Sequence, residues 1–309
     1  MLALVAAPDR EDRITFAEVA DPEPGPGEVL VQVRAVSLNR GEVNRLATAE
    51  AGWRPGWDVA GTVLRPAADG SGPPAGARVV ALRPAGAWCE RVPVPSSFLA
   101  VLPDGVGFAA ASTFPVAGLT ALRALRVPGS ILGRTVLVSG AAGGVGRYAV
   151  QLAARAGAEV TALVGRPERS AGLRELGAGA VAVGYGELGE RRFDVILESA
   201  GGADFEAALK SLARWGTLVT FGNSARERSS FLVNDLYSRG GCTVYGFFLF
   251  AELERQGPAA DLAFLAGEVE AGRLDPQVGL EADWREAGRA LLALRDRSVA
   301  GKAVLHLGE

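Results

Sequence analysis

The chain has one histidine, two cysteines, one methionine and only two lysines in 309 residues, and these shortages limit its chemistry before any motif is read. Cys89 and Cys242 belong to no CxxC pair and are too few for a disulfide framework, so both are expected to be buried thiols. The single histidine, His306, lies in an apolar run near the C-terminus. An imidazole-ligated catalytic zinc therefore lacks ligands, and only a Ser-His-Asp triad built on His306 itself stays open. Lys210 and Lys302 are the only lysines, and none of Tyr148, Tyr185, Tyr237 or Tyr245 has a lysine four residues on, which excludes a Tyr-x-x-x-Lys acid pair. A net charge of −3 offers no basic field to nucleic acid or to an anionic membrane. No run approaches the ~18 uninterrupted apolar residues of a membrane span, and the opening MLALVAAPDREDR is too short in apolar residues for a secretory signal. A soluble, cytoplasmic protein without nucleic-acid or membrane partners is expected.

What is present centres on Thr135 to Gly146, which reads TVLVSGAAGGVG. Val136, Leu137 and Val138 form the short apolar run that a buried parallel strand needs. A glycine-rich turn follows. Val145, Ala149, Val150, Leu152 and Ala153 then recur at near-helical spacing until Gly157. Strand, glycine turn and helix together are the context of a dinucleotide fingerprint. Ala141, Gly143 and Gly146 take its three small-residue positions, with alanine in place of the usual first glycine. Gly143 would let the backbone approach a pyrophosphate, and Gly146 would let helix and strand pack closely. The N–H groups of the turn, Ala142, Gly144 and Val145 included, would hold phosphates at the positive end of the helix dipole. The alternative is an ordinary tight turn between strand and helix.

The first hundred residues read as strands and turns. Glu28 to Ala35 alternate apolar Val29, Val31, Val33 and Ala35 with Leu30, Gln32 and Arg34, as a half-buried strand does; further strands are expected at Val59–Leu64 and Arg78–Leu82. From the glycine turn onward strands and helices alternate, with strands at Val160–Val164, Ala180–Val183, Asp194–Leu197, Thr217–Phe221 and Thr243–Phe248. Helices are expected at Arg169–Leu176 and Phe205–Leu212. This alternation predicts a doubly wound parallel sheet in an α/β fold. The remainder is mostly helical and closes with a strand at Ala303–Leu307, which would return to the N-terminal β-rich part.

Two local choices bear on function. At the end of the second strand of a dinucleotide fold, an acid selects a free ribose 2′-hydroxyl. Here Gly165 and Arg166 stand in that place, and Arg166 with Arg169 would clamp a 2′-phosphate, unless both are solvated helix-start arginines. The reading favours NADPH. Asn39, in SLNRGEVNRL, has two readings: a helix cap, supported by Glu42 three residues on, or an amide that donates to a substrate oxygen. Trp53, Trp57, Trp88 and Phe248 are candidates for an apolar substrate wall or for plain core.

With these residues in hand the chain resembles the medium-chain dehydrogenase/reductase superfamily, specifically its zinc-free quinone oxidoreductase branch. The resemblance rests on DPEPGPGEVLVQVRAVSLN, GWDVAGTV, PDGVGFAAASTFPVAGLTALRAL, SGAAGGVG and GKAVLHL, in that order. It implies a Rossmann domain over residues 118–249, inserted into a GroES-like, partly open barrel formed by residues 1–117 and 250–309. Zinc-dependent members carry a cysteine and a His-Glu pair where this chain has Asn39, Trp57 and Asp58, so no metal is expected. The resemblance places Thr120 beside the nicotinamide, Arg169 and Tyr185 near the 2′-phosphate, and Asn223 with the Gly246, Phe247 and Phe248 backbone along the nicotinamide ribose. Arg297 would reach the adenosine phosphate. It further implies a homodimer that transfers hydride from NADPH to a quinone or another conjugated carbonyl. Reduction of an enoyl or alkenal double bond, and a non-catalytic NADPH-binding sensor, are the alternatives. An Asn39 donor to the substrate oxygen would contribute ~2.7–4 kcal/mol to the transition state.

Overall fold

The computed structural model of the chain describes residues 1–308. It divides into two compact units, Met1–Leu119 with the stretch from Leu253 onward, and Thr120–Glu252.

The first unit opens with a hairpin of β1 (Leu2–Ala6) and β2 (Ile14–Glu18). Then follow β3 (Glu28–Leu38), helix α1 (Arg40–Leu46), β4 (Asp58–Arg65), β5 (Arg78–Leu82), β6 (Arg91–Pro95) and β7 (Leu99–Val101). In β3 the alternation expected from the sequence appears as a buried Val29, Val31 and Val33 between half-buried neighbours. Its last four residues are buried throughout. Helix α2 (Phe108–Ser112) and a π-helical turn at Phe114–Gly118 lead to α3 (Leu119–Arg126).

The second unit is built on β8 (Thr135–Ser139), α4 (Gly144–Arg155), β9 (Glu159–Val164), β10 (Ala180–Val183), β11 (Phe193–Glu198), α5 (Gly202–Ser211), β12 (Leu212–Thr220), the short α6 (Val233–Tyr237) and β13 (Thr243–Gly246). Its six strands lie in the order β10-β9-β8-β11-β12-β13, every neighbouring pair parallel. This is the doubly wound arrangement, with the strand order reversing beside β8. Val136, Leu137 and Val138 are fully buried, as a central parallel strand requires.

After α7 (Leu249–Arg255) and α8 (Ala259–Glu270), the chain re-enters the first sheet as β14 (Val278–Asp283), α9 (Ala287–Arg295) and β15 (Lys302–His306). The resulting order is β14-β15-β3-β4-β5-β7, with β6 also paired to β3. Thus β15 lies antiparallel to β3, joining Ala303 to Leu38.

One expected element is absent. Arg169–Leu176 is not a helix but a 3-10 turn at Pro167–Arg169 followed by further turns. Gly172, at φ +75°, takes a left-handed conformation in the middle of the segment and interrupts helix propagation. Among the described residues, no helix is long and apolar enough to cross a membrane.

Candidate functional site

In the first unit the ends of β3, β4 and β15 converge on a buried polar cluster. Asn39 follows β3 with an extended backbone (φ −123°) and starts α1. Its backbone N–H donates to Glu42 Oε2 at 2.7 Å, the glutamate half of the capping box that the spacing suggested. Its side-chain Nδ2 donates to Asp58 Oδ2 at 2.7 Å and to Glu42 Oε2 at 3.3 Å. Its Oδ1 accepts from Lys302 Nζ at 2.6 Å. Lys302 also donates to the Leu38 carbonyl at 3.1 Å and lies 3.5 Å from Asp58 Oδ2. Asp58 accepts in addition from Ser37 Oγ and, at 2.9 Å, from the Val116 N–H. Glu42 Oε1 takes the Trp57 N–H at 2.8 Å.

Glu42 and Asp58 are fully buried and Lys302 nearly so. Burial, then the Asp58 charge, raise the Glu42 carboxyl well above its usual range, against the pull of Lys302 and the Asn39 donors. Burial pulls the Lys302 ammonium below its ordinary value, against the attraction of Asp58 and Glu42. Removing three ionisable groups from water is costly, and only the density of hydrogen bonds makes the arrangement tenable.

The Asn39 side chain thus donates to Asp58 and Glu42 and accepts from Lys302, so it anchors the cluster at the point where α1 starts. Of the aromatics weighed as substrate wall or core, Trp88 is buried in the barrel core and Trp53 packs against that core, whereas Trp57 lies over Gly41, where a Cβ would stand 2.6 Å from the indole.

In the second unit all six strands point the same way, so the segments that follow them meet at one edge of the sheet, where doubly wound folds bind nucleotides. After β8, Ala141 and Ala142 are buried in the turn, Gly143 caps α4, and Gly144, Val145 and Gly146 form the helix's first turn. The first helical bond runs from the Arg147 N–H to the Gly143 carbonyl at 2.9 Å. The N–H groups of Gly144 to Gly146 therefore precede the ladder. A Cβ on Gly146 would stand 2.4 Å from the Gly140 carbonyl oxygen and 2.6 Å from the Ala141 Cα, so only glycine permits this approach of helix to strand. Gly143 has open space but for the Gly140 carbonyl, 3.3 Å from its would-be Cβ.

After β9, Gly165 and Arg166 are exposed, with nothing within 4 Å of a Cβ built on Gly165. Arg169 Nη2 reaches the Ala142 carbonyl at 3.4 Å. Tyr185 follows β10, and its hydroxyl is buried without a hydrogen-bond partner in the structure. Burial, then Glu198 and Asp204, hold its pKa above the usual value, so the group is a neutral donor. Asn223 follows β12, exposed, with Oδ1 accepting the Arg226 N–H at 3.1 Å. Gly246 ends β13, Phe247 is buried and Phe248 exposed. Thr120 is buried in the first turn of α3. Arg297 belongs to the first unit, where it takes the left-handed residue after α9 (φ +60°).

Sequence reasoning missed two residues at this edge. Glu198, fully buried at the end of β11, accepts the Ala200 and Gly201 N–H groups at 2.5 and 2.9 Å and the Thr220 hydroxyl at 3.1 Å, which shapes the loop beside Asn223. Arg147 lies under the loop after β9. Neither spacing nor composition marks either one. Among the described residues, no group of three or more His, Cys, Asp and Glu side chains is arranged to hold a metal ion.

Comparison with known proteins agrees with this architecture. The alcohol dehydrogenase GroES-like domain model matches residues 25–121 and the zinc-binding dehydrogenase model residues 144–265. A phthioceranic/hydroxyphthioceranic acid synthase of Mycobacterium tuberculosis is 31% identical over 92% of this chain, which spans only 14% of that protein's length. A quinone oxidoreductase of Pseudomonas aeruginosa is 30% identical over 94% of this chain and 95% of its own length. A mycobacterial protein solved in complex with NADPH superimposes with a TM-score of 0.88 at 26% identity, over 99% of this chain and all of that one. The parallel nucleotide-type sheet, the GroES-like first unit and the near end-to-end match to a quinone oxidoreductase together show that the chain belongs to the medium-chain dehydrogenase/reductase superfamily of oxidoreductases, in its quinone oxidoreductase branch.

Proposed function

We propose that the chain is an NADPH-dependent reductase of quinones or other conjugated carbonyls. The observation that carries the cofactor choice is the end of β9. Arg166 and Arg169 stand where an acid would select a free 2′-hydroxyl, within one edge that also holds the Gly143–Gly146 amides and the unpaired Tyr185 hydroxyl. A phosphorylated dinucleotide fits these groups. The pyrophosphate would rest on the amides that precede the α4 ladder, and the 2′-phosphate on the two guanidinium groups and the phenol. Asn223 and the backbone from Gly246 to Phe248 would line the ribose at the nicotinamide end, with Thr120 near the ring.

Once bound, the cofactor supplies hydride. The chain's own residues hold it with one face presented and bring the acceptor to near-contact distance. Acceptors that take hydride without a metal to polarise them, quinones and enones above all, suit a chain with Asn39, Trp57 and Asp58 where zinc-dependent members carry a cysteine and a His-Glu pair. The identity to a quinone oxidoreductase over nearly its whole length supports the quinone reading. The match to a segment of an acid synthase favours a second reading, reduction of an enoyl thioester, a step class that acid assembly uses. Steady-state turnover of a quinone, an enal, an enoyl thioester and a simple ketone with NADPH separates the two. Quinone or enal turnover well above the thioester supports the first, the reverse supports the second, and tight NADPH binding with no turnover assigns a sensor. A cytoplasmic homodimer is part of the same proposal, tested by light scattering on the purified chain.

A further inference from the structure

We propose that Arg147 is a positioning residue for the adenosine end of the nucleotide site, tying the helix that follows the glycine turn to the loop that carries Arg166 and Arg169. The inference rests on the NADPH reading above and adds to it a residue that touches no nucleotide in that reading.

Arg147 lies in the first turn of α4 and is 7% exposed. Its Nη2 donates to the Ala171 carbonyl at 2.8 Å, while its Nε lies 3.4 Å from the Ala142 carbonyl, which Arg169 Nη2 also approaches at 3.4 Å. A Cβ on Gly172 would stand 3.4 Å from Nη1. The guanidinium thus bridges the glycine turn and the loop after β9, with its short, charge-assisted bond two residues beyond Arg169. That loop is the stretch where a helix was expected. Its own bonds are local turns, from the Arg169 N–H to the Arg166 carbonyl, the Ser170 N–H to Pro167 and the Leu173 N–H to Ser170, so regular secondary structure does little to fix it.

A second argument comes from charge. A cation in the first turn of a helix opposes the positive dipole end, and a buried one is also poorly hydrated. Bound phosphate reverses the sign of that interaction. Arg147 then offsets ligand charge from beneath while its bond to Ala171 holds Arg166 and Arg169 in place.

The test uses the full chain and two variants, Arg147→Met and Arg147→Lys, each titrated with NADPH and with NADH by nicotinamide fluorescence and melted in parallel. Losing one charge-assisted hydrogen bond corresponds to about a tenfold change in affinity. Arg147→Met is expected to raise the NADPH Kd about tenfold or more and the NADH Kd by less than about threefold, so that the NADPH preference shrinks. Arg147→Lys, which keeps the cation and one donor, is expected to fall between, and it carries the same test if the methionine variant melts too early to titrate. Equal weakening of both nucleotides, or no weakening of either, overturns the inference and leaves Arg147 a residue of fold stability. A wild-type chain that binds NADH as tightly as NADPH overturns the NADPH reading itself, and this inference with it.

Discussion

Lys302 Nζ stands 2.6 Å from Asn39 Oδ1, so a residue that opens the last strand is held by the residue that starts the first helix, 263 positions away. Beside this contact the Asn39 amide donates to the buried carboxyls of Asp58 and Glu42. This ammonium is the counter-charge for both acids, and the first unit closes on itself through it.

Replacing Lys302 with methionine leaves Glu42 and Asp58 buried without a cation. Stability is expected to fall by about 3–5 kcal/mol, the range for breaking a buried pair from one side. Urea denaturation, followed by a probe of the barrel such as tryptophan fluorescence, measures it. A loss below about 1 kcal/mol would show that the cluster is hydrated or already neutral.

Glu42 sets a pH dependence whose sign follows from its raised pKa. The folded chain keeps this proton to higher pH than the unfolded chain, where glutamate titrates near about 4.3. Between those two values the folded state binds more protons, so this group's contribution to stability is greatest below the unfolded value and is lost as pH rises through the folded one. Denaturation midpoints across this window are expected to fall with rising pH in the wild type and to flatten in Glu42→Gln. A slope unchanged by the substitution would assign the effect to another group.

The two turn glycines separate packing from binding. Gly146→Ala forces a methyl to within 2.4 Å of the Gly140 carbonyl and is expected to destabilise by about 1–3 kcal/mol while weakening NADPH about tenfold or more. Gly143→Ala, at φ −81° with open space on most sides, is expected to change stability by less than about 1 kcal/mol and still weaken NADPH, because its methyl stands where the pyrophosphate approaches. Thermal melting and nucleotide titration of both variants give the comparison.

The thiols are expected to differ. Cys89 is fully buried and burial raises its pKa, whereas Cys242 is half-buried. An aromatic disulfide reagent at pH 8 is expected to modify Cys242 in the native chain, and Cys89 only after denaturation. Fast reaction at both sites would indicate that the barrel opens around Ala87–Cys89.

The parts of the fold that were legible are those in which local pattern and tertiary role coincide. The apolar run of β8, the glycines after it and the helical spacing of α4 are local, and they appear where the sequence placed them. The Arg169–Leu176 segment has helix-forming side chains, but Gly172 in a left-handed conformation overrides that propensity. β14 carries an alternating, half-exposed pattern with Gly279 approaching the Ala300 carbonyl closely, and without its partner β15 in view it has little to mark it as a strand. The polar cluster was hidden for another reason. Lys302 and Asn39 are remote in sequence, and spacing carries no information about contacts made by folding. Glu42 was visible only as half of a cap, and its second role, facing Asp58 and Lys302, requires the sheet that brings β15 beside β3.

Titration of the purified full chain with NADPH and with NADH tests the central claim most directly. The account predicts saturable binding of both, tighter for NADPH, with the preference reduced when Arg166 and Arg169 are replaced together by alanine. Absence of binding to either reduced nucleotide, or a preference for NADH, would contradict it.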